Sequence, residues 1–152
     1  MLTAVERILL AVALALLALG VAAYLQRRQR PTAPVRTGWS VPAQLDRADF
    51  DRPDAPWLVA VFTSSTCSSC SAVWERAQHL ASDAVAVQEL EHVRERALHE
   101  RYGIEAVPAT LVADAEGVVM ASFVGPVTAT DLWAAVAEAR EPGSIPPGCG
   151  EG

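Results

Sequence analysis

The 152-residue chain contains no lysine, so all 12 of its basic residues are arginines. The part beyond Arg36 also lacks a positive balance: it carries seven arginines and 17 acidic residues, a formal charge of 7 − 17 = −10. A domain this acidic repels the phosphate backbone, which argues against nucleic-acid binding. Arginine without lysine, together with abundant alanine, is typical of a GC-rich bacterial genome.

Metal ligands are scarce as well. The chain has three cysteines, and its three histidines form no second ligand pair beside Cys67 and Cys70. A tetrahedral zinc site needs four ligands, and the remaining cysteine, Cys149, lies in a tail rich in proline and glycine. The composition therefore favours a redox pair over half of a zinc site, which remains the alternative for a CxxC spacing.

The most informative stretch that is present is Cys67-Ser68-Ser69-Cys70. It follows an apolar run at residues 57–62 and precedes a helical pattern at residues 72–81. On the first turn of a helix, residues i and i+3 share one face, so the two sulfurs can approach to bonding distance. Unpaired backbone N–H groups and the helix dipole stabilise a thiolate at Cys67, and the thiolate is the form that attacks disulfides.

Around this pair the sequence predicts strands alternating with helices. The predicted strands are residues 57–63, 85–90, 108–113 and 118–124, and the predicted helices are residues 72–81, 93–102 and a last one ending at residue 139. Thr130 and Asp131 are expected to cap that last helix, and Leu132, Trp133 and Val136 to form its apolar face. The expected fold class is α/β, with parallel crossovers, a final antiparallel hairpin and helices on both faces of a mixed sheet.

With these elements in place, residues 41–140 resemble the thioredoxin-like superfamily. Three landmarks carry the resemblance: the strand followed by Cys67-Ser68-Ser69-Cys70, the Tyr-Gly-Ile-Glu-Ala-Val-Pro-Ala-Thr segment at residues 102–110, and Gly117 and Gly125 on either side of the last strand. The resemblance implies a thioredoxin-like fold and a membrane-anchored thioredoxin-domain protein of bacterial type.

The resemblance also implies a role for each matched residue. Cys67 would attack a substrate disulfide and Cys70 would resolve the mixed disulfide, with no cofactor beyond this redox-active pair. Thr66, Val107 and Pro108 would bind the substrate, with the Val107–Pro108 bond cis and the Val107 backbone beside an extended substrate segment. An ordinary trans proline that opens an edge strand is the alternative.

The function expected from these residues is thiol–disulfide exchange with protein substrates and a redox partner, by an enzyme whose direction of electron flow stays open. A thiolate chaperone for copper(I) and a non-catalytic thioredoxin-fold interaction module are the alternatives.

The chain departs from the thioredoxin pattern in ways that bear on chemistry. Thr66 and a Ser-Ser dipeptide replace the usual tryptophan and Gly-Pro, and Val61 occupies the position of a buried acid thought to accept the proton of the resolving cysteine. Glu89, in the next predicted strand, is a candidate substitute, although a solvated surface glutamate is the expected state. Only residues 46–56 are available for the helix that usually precedes the first central strand.

The N-terminal part contains an apolar run without charge at residues 8–25, which is just long enough to span a bilayer. We predict a flank at residues 1–7, a transmembrane helix at 8–25, a basic, proline-containing linker at 26–39, the thioredoxin-like domain at 40–141 and a flexible tail at 142–152. A signal peptide cleaved near Ala18-Leu19-Gly20 is the alternative.

Two signals disagree about the side of the membrane on which the domain lies. Arg27, Arg28 and Arg30 follow the apolar run directly, which favours a cytoplasmic location for the domain, whereas tethered thioredoxin-like proteins of bacteria often face outward. Cys149 is either an unremarkable tail thiol or a group that reaches the CxxC pair or a partner.

Overall fold

The structure, a computed structural model, describes Leu17, Gly20, Val21 and residues 40–144. Leu17, Gly20 and Val21 are helical and exposed. Most of the predicted transmembrane helix, the linker and Cys149 lie outside the described residues. Among the helices that the described residues form, none combines the length and the apolar character needed to cross a membrane.

Residues 40–144 form four strands and three α-helices in the predicted order. The strands are β1 (Trp57–Thr63), β2 (Val85–Glu91), β3 (Ala109–Ala113) and β4 (Val119–Val124), and the helices are α1 (Cys70–Gln78), α2 (Arg96–Arg101) and α3 (Ala129–Arg140). Residues 46–56, the short stretch before β1, contain a single turn of 3-10 helix at Arg47–Asp49 and no α-helix. The order of elements is therefore confirmed.

The sheet has the order β2-β1-β3-β4. β1 and β2 are parallel, as an α1 crossover requires, and β3 and β4 form the predicted antiparallel hairpin. β3 runs antiparallel to β1, however, so the expectation of parallel pairing throughout the alternating half is wrong. The connection through α2 returns the chain to the end of β1 at which β1 finishes.

Side-chain alternation in β1 divides the core into two layers. Val59 and Val61 pack with α1 and α3 on one face, whereas Leu58 and Phe62 pack on the other face with residues that flank the 3-10 turn and with α2. Both faces are covered, which explains why β1 is continuously apolar and why six of its seven residues are buried. The prediction of a mixed sheet with helices on both faces is confirmed.

The segment before β1 is fastened by backbone pairing and by one buried arginine. Gln44 forms an isolated antiparallel bridge with Val118, and the Leu45 N–H donates to the Gly117 carbonyl at 2.8 Å. Arg47 is 7% exposed and donates to the carbonyls of Asp114 and Ala55 at 2.7 and 2.9 Å. Burial lowers its pKa, partly offset by the charge of Asp114. These bonds hold the segment before β1, which is largely irregular, against the rest of the domain.

Four predicted helix features differ from the structure. α1 starts at Cys70 and ends at Gln78, and α2 covers only Arg96–Arg101. The cap of α3 is Thr128, whose Oγ1 accepts the Asp131 N–H at 3.1 Å, because Asp131 sits three residues after it. Trp133, assigned to the apolar face of α3, is 52% exposed.

Candidate active site

Cys67 and Cys70 are joined by a disulfide, with their Cα atoms 5.5 Å apart. Cys67 is half-buried, whereas Cys70 is 3% exposed. Cys70 is the first residue of α1, so Cys67 precedes the helix and does not lie in its first turn as predicted. The more accessible sulfur is thus the one in the loop that follows β1.

A tight turn presents Cys67. The Cys67 N–H donates to the Ser64 carbonyl at 3.0 Å, and the hydroxyls of Ser64 and Thr66 lie 3.1 Å apart. Thr66, a predicted substrate-binding residue, is exposed beside the disulfide in sequence. The backbone of this turn determines where the Cys67 sulfur points.

A carboxylate on the neighbouring strand holds this turn. Glu91 Oε1 accepts the Ser65 N–H at 3.1 Å, while Oε2 accepts the Val93 and Arg94 N–H groups at 2.9 and 3.2 Å. Desolvation alone would raise the pKa of Glu91, but the N–H donors of Arg94, Ser65 and Val93 outweigh it and lower the pKa from its ordinary value. Glu91 therefore joins the Cys67 turn to the loop after β2.

The Val107–Pro108 peptide bond is cis, as the resemblance implies. Pro108 is buried, and its carbonyl accepts the Gly125 N–H at 2.7 Å. Ala109 pairs with Phe62 near the C-terminal end of β1. β1 therefore leads to Cys67 at the same end of the sheet at which Val107 and Pro108 lead into β3. This register brings the predicted catalytic and substrate-binding segments to one end of the sheet.

The position of the missing acid is apolar on its own strand but polar on both sides. Val61 is fully buried and pairs with Glu89 on β2 and with Thr110 on β3. Glu89 Oε1 accepts a hydrogen bond from the buried Thr63 hydroxyl at 3.0 Å, and the Glu89 side chain is 29% exposed. Glu89 is thus only partly solvated, because it bonds the buried Thr63 hydroxyl and also lies 3.5 Å from the exposed guanidinium of Arg94.

Thr110 adds an unusual group on the same face. It is completely buried, and its hydroxyl makes no hydrogen bond to another described residue. Buried hydroxyls nearly always have a partner, so this one is available to a polar group placed near it.

A histidine lies beneath the end of β2. His99 is 3% exposed, its Nε2 bonds the Leu90 carbonyl at 2.8 Å, and its ring meets those of Phe62 and His92 edge-on, each with ring centroids 5.0 Å apart. Burial lowers the pKa of His99, and the nearby His92 lowers it further. The Leu90 bond requires a proton on Nε2, so Nδ1 of the neutral ring is left without a partner in the described core.

The contact of Glu91 with the Cys67 turn carries no local sequence signal. In the sequence Glu91 is only a charged position in a predicted strand region, and the β1–β2 register is what places it beside the end of β1. Within residues 40–144 and the three described N-terminal residues, no group of three or more His, Cys, Asp or Glu side chains could hold a metal ion.

Comparison with known proteins agrees with the fold. No protein-family model and no curated protein matches the chain. Among solved structures, a mutant thioredoxin from Halobacterium salinarum NRC-1 aligns with a TM-score of 0.51 and 23% identity, over 67% of this chain and 95% of that chain.

A second solved structure, thioredoxin-2, described as a component of malaria parasite protein secretion machinery, aligns with a TM-score of 0.49 and 15% identity. It covers 55% of this chain and 82% of its own. The likeness to the halophilic protein shows a thioredoxin-like fold, within which this chain carries a disulfide-bonded CxxC pair.

Proposed function

We propose that the protein is a thiol–disulfide oxidoreductase that exchanges disulfides with protein substrates through Cys67 and Cys70. The observation that carries the proposal is the asymmetry of the disulfide: Cys67 is half-buried in a loop, while Cys70 is buried at the start of α1. An attacking sulfur must be reached by a substrate, whereas a resolving sulfur needs only to reach its neighbour.

The exchange proceeds in two balanced steps. In the reduced protein, the Cys67 thiolate attacks a substrate disulfide, forming a mixed disulfide and releasing one substrate thiolate. The Cys70 thiolate then attacks the Cys67 sulfur, which forms the Cys67–Cys70 disulfide and releases the second substrate thiolate. The protein is oxidised by two electrons and the substrate is reduced. The reverse sequence, with a dithiol as reductant, regenerates the reduced protein.

The position of the Val107–Pro108 segment supports the proposal that an extended substrate binds beside the sulfurs. The segment leads into β3 at the end of the sheet from which β1 leads to Cys67. Val107 is partly buried against the core, so its side chain is fixed while its backbone borders this end of the sheet. Thr66, exposed next to Cys67, completes the proposed substrate contacts.

An insulin-reduction assay with the full-length protein tests the proposal, using wild type, Cys67→Ser and Cys70→Ser. We expect turnover only in wild type, and stable mixed disulfides with partner proteins only in Cys70→Ser. Equal trapping by the two variants would contradict the assignment of attack and resolution. A parallel copper(I) titration distinguishes the other functions: tight metal binding without turnover would indicate a chaperone, and neither activity an interaction module.

We further propose that residues 8–25 anchor the protein in a bacterial cell membrane with the domain on the cytoplasmic side. The support is the uncharged apolar run and the three arginines that follow it. Wild type should fractionate with membranes and a variant lacking residues 8–25 should not. A membrane-impermeant thiol reagent should label Cys67 only after lysis, and labelling in intact cells would place the domain outside.

A further inference from the structure

Ser69 occupies the residue before α1 but does not act as a side-chain cap. Serine at this position ordinarily accepts a hydrogen bond from a backbone N–H in the first turn of its helix. No such bond is formed by Ser69. Its Oγ lies instead 3.7 Å from Sγ of Cys67, within hydrogen-bond distance for sulfur. The hydroxyl is thus directed at the sulfur that the proposed mechanism uses for attack.

The contact gains importance when the disulfide is reduced. A disulfide sulfur is a weak acceptor, but a thiolate carries a full negative charge, and hydrogen bonds to ionised groups are stronger than those between neutral groups. The Ser69 hydroxyl can donate a hydrogen bond to a thiolate at Cys67 without moving the helix. A donor that favours the reduced form makes a disulfide more oxidising.

Ser68 offers the internal comparison. It belongs to the same dipeptide and has the same hydroxyl, but its side chain is exposed and makes no hydrogen bond within residues 40–144. Any effect of serine composition alone, such as loop flexibility or polarity, would be shared by both residues. An effect of the sulfur contact belongs to Ser69 only.

We propose that the Ser69 hydroxyl is the hydrogen-bond donor that stabilises the Cys67 thiolate and so sets the redox balance of the pair. This inference rests on the proposed function for its biological meaning, but not for its measurement. The net contribution of one hydrogen bond corresponds to a factor of roughly three to ten in an equilibrium constant, which is the effect to be sought.

The test compares full-length wild type, Ser69→Ala, Ser68→Ala and Ser69→Thr. Each protein is equilibrated with reduced and oxidised glutathione, and the alkylation rate at Cys67 is followed against pH with the label located by mass spectrometry. Ser69→Ala should shift the glutathione equilibrium toward the protein disulfide by roughly three- to tenfold and move the alkylation midpoint to higher pH. Its alkylation rate should fall less than its thiolate fraction, since a more basic thiolate is more nucleophilic.

Ser68→Ala should match wild type within about twofold, and Ser69→Thr, which keeps the hydroxyl, should retain most of the effect. Equal behaviour of the two alanine variants would refute the role of Ser69. Neither readout uses a protein substrate. A wild type that shows the Ser69 effect but cannot reduce insulin would therefore refute the oxidoreductase function alone, and active protein without a Ser69 effect would refute only this inference.

Discussion

Replacing Val61 by aspartate supplies the acid that the position lacks. In the proposed mechanism Cys70 must lose a proton before it resolves the mixed disulfide, and a valine at position 61 cannot accept one. An ordinary thiol with a pKa of about 8.5 is roughly 3% ionised at pH 7. A well-placed proton acceptor can therefore accelerate resolution by at most about thirtyfold at that pH.

The same substitution should destabilise the domain. Val61 is fully buried, so the change loses about 1.5 kcal/mol of apolar burial and adds about 1–3 kcal/mol for an enclosed carboxyl group. The Thr110 hydroxyl, opposite position 61 and without a hydrogen-bond partner among residues 40–144, can donate to the new carboxyl, whereas Glu89 on the other side disfavours its ionised form. We expect a net loss of about 2–4 kcal/mol in the free energy of unfolding.

Val59→Asp is the matched control. Val59 is equally buried on the same face of β1 but is flanked by Val87 and Val112, so it should lose at least as much stability without faster exchange. The assay is the rate of mixed-disulfide resolution between pH 6 and 9, together with a urea melt of each protein. Wild type should speed up about tenfold per pH unit below thiol ionisation. A wild-type rate that is already fast and independent of pH near neutrality would refute the reasoning and make Glu89 the acceptor to mutate.

Three further predictions concern stability and positioning. Burial lowers the pKa of His99 in the folded protein, so the unfolded chain takes up a proton at this residue first as the pH falls. The contribution of neutral His99 to the free energy of unfolding should therefore be fully present above about pH 6.5 and be lost progressively below it. His99→Gln should flatten this loss in urea melts from pH 7.5 to 5. Glu91→Gln should slow disulfide exchange and hasten hydrogen exchange at the Ser65 amide, because the Glu91 carboxylate accepts the Ser65 N–H and so holds the Cys67 turn. Unchanged protection of the Ser65 amide would contradict this role of Glu91. Gly117→Ala should lower the free energy of unfolding by more than about 3 kcal/mol, because the added Cβ would lie 1.9 Å from the Leu45 carbonyl oxygen at a residue whose φ is +80°. Gly103→Ala is the control: its φ is +61° but the added Cβ meets open space, so it should cost about 1–2 kcal/mol in the same urea melts.

The features that sequence predicted well are those with local causes. The bounds of the strand Trp57–Thr63 follow from the sequence, because burial on both faces requires a continuous apolar run. The end of α2 before Gly103 follows from a backbone with positive φ, which glycine adopts most easily. The CxxC pair is visible in sequence because its spacing is itself the constraint.

Features that depend on how the strands align cannot be predicted from local sequence patterns. The hydrogen bond from the Ser65 N–H to Glu91 joins residues 26 positions apart. The antiparallel direction of β3 depends on the path that the chain takes after β2 at the end of the sheet. Two adjacent serines look identical in sequence, yet only Ser69 contacts the Cys67 sulfur. The sequence alone does not distinguish the cap of α3, because two threonines precede Asp131 and only Thr128 lies at the spacing at which its side chain reaches the Asp131 N–H.

Cys67 is the attacking thiol in the proposed mechanism, and its reactivity in the reduced protein is the most direct test of that mechanism. The test is brief alkylation of the reduced full-length protein at neutral pH, with the position of the label determined by mass spectrometry. Because Cys67 is half-buried in a loop and Cys70 is 3% exposed, we expect the label on Cys67 first, with Cys70 protected until the protein unfolds. Labelling of Cys70 ahead of Cys67 would contradict the central claim.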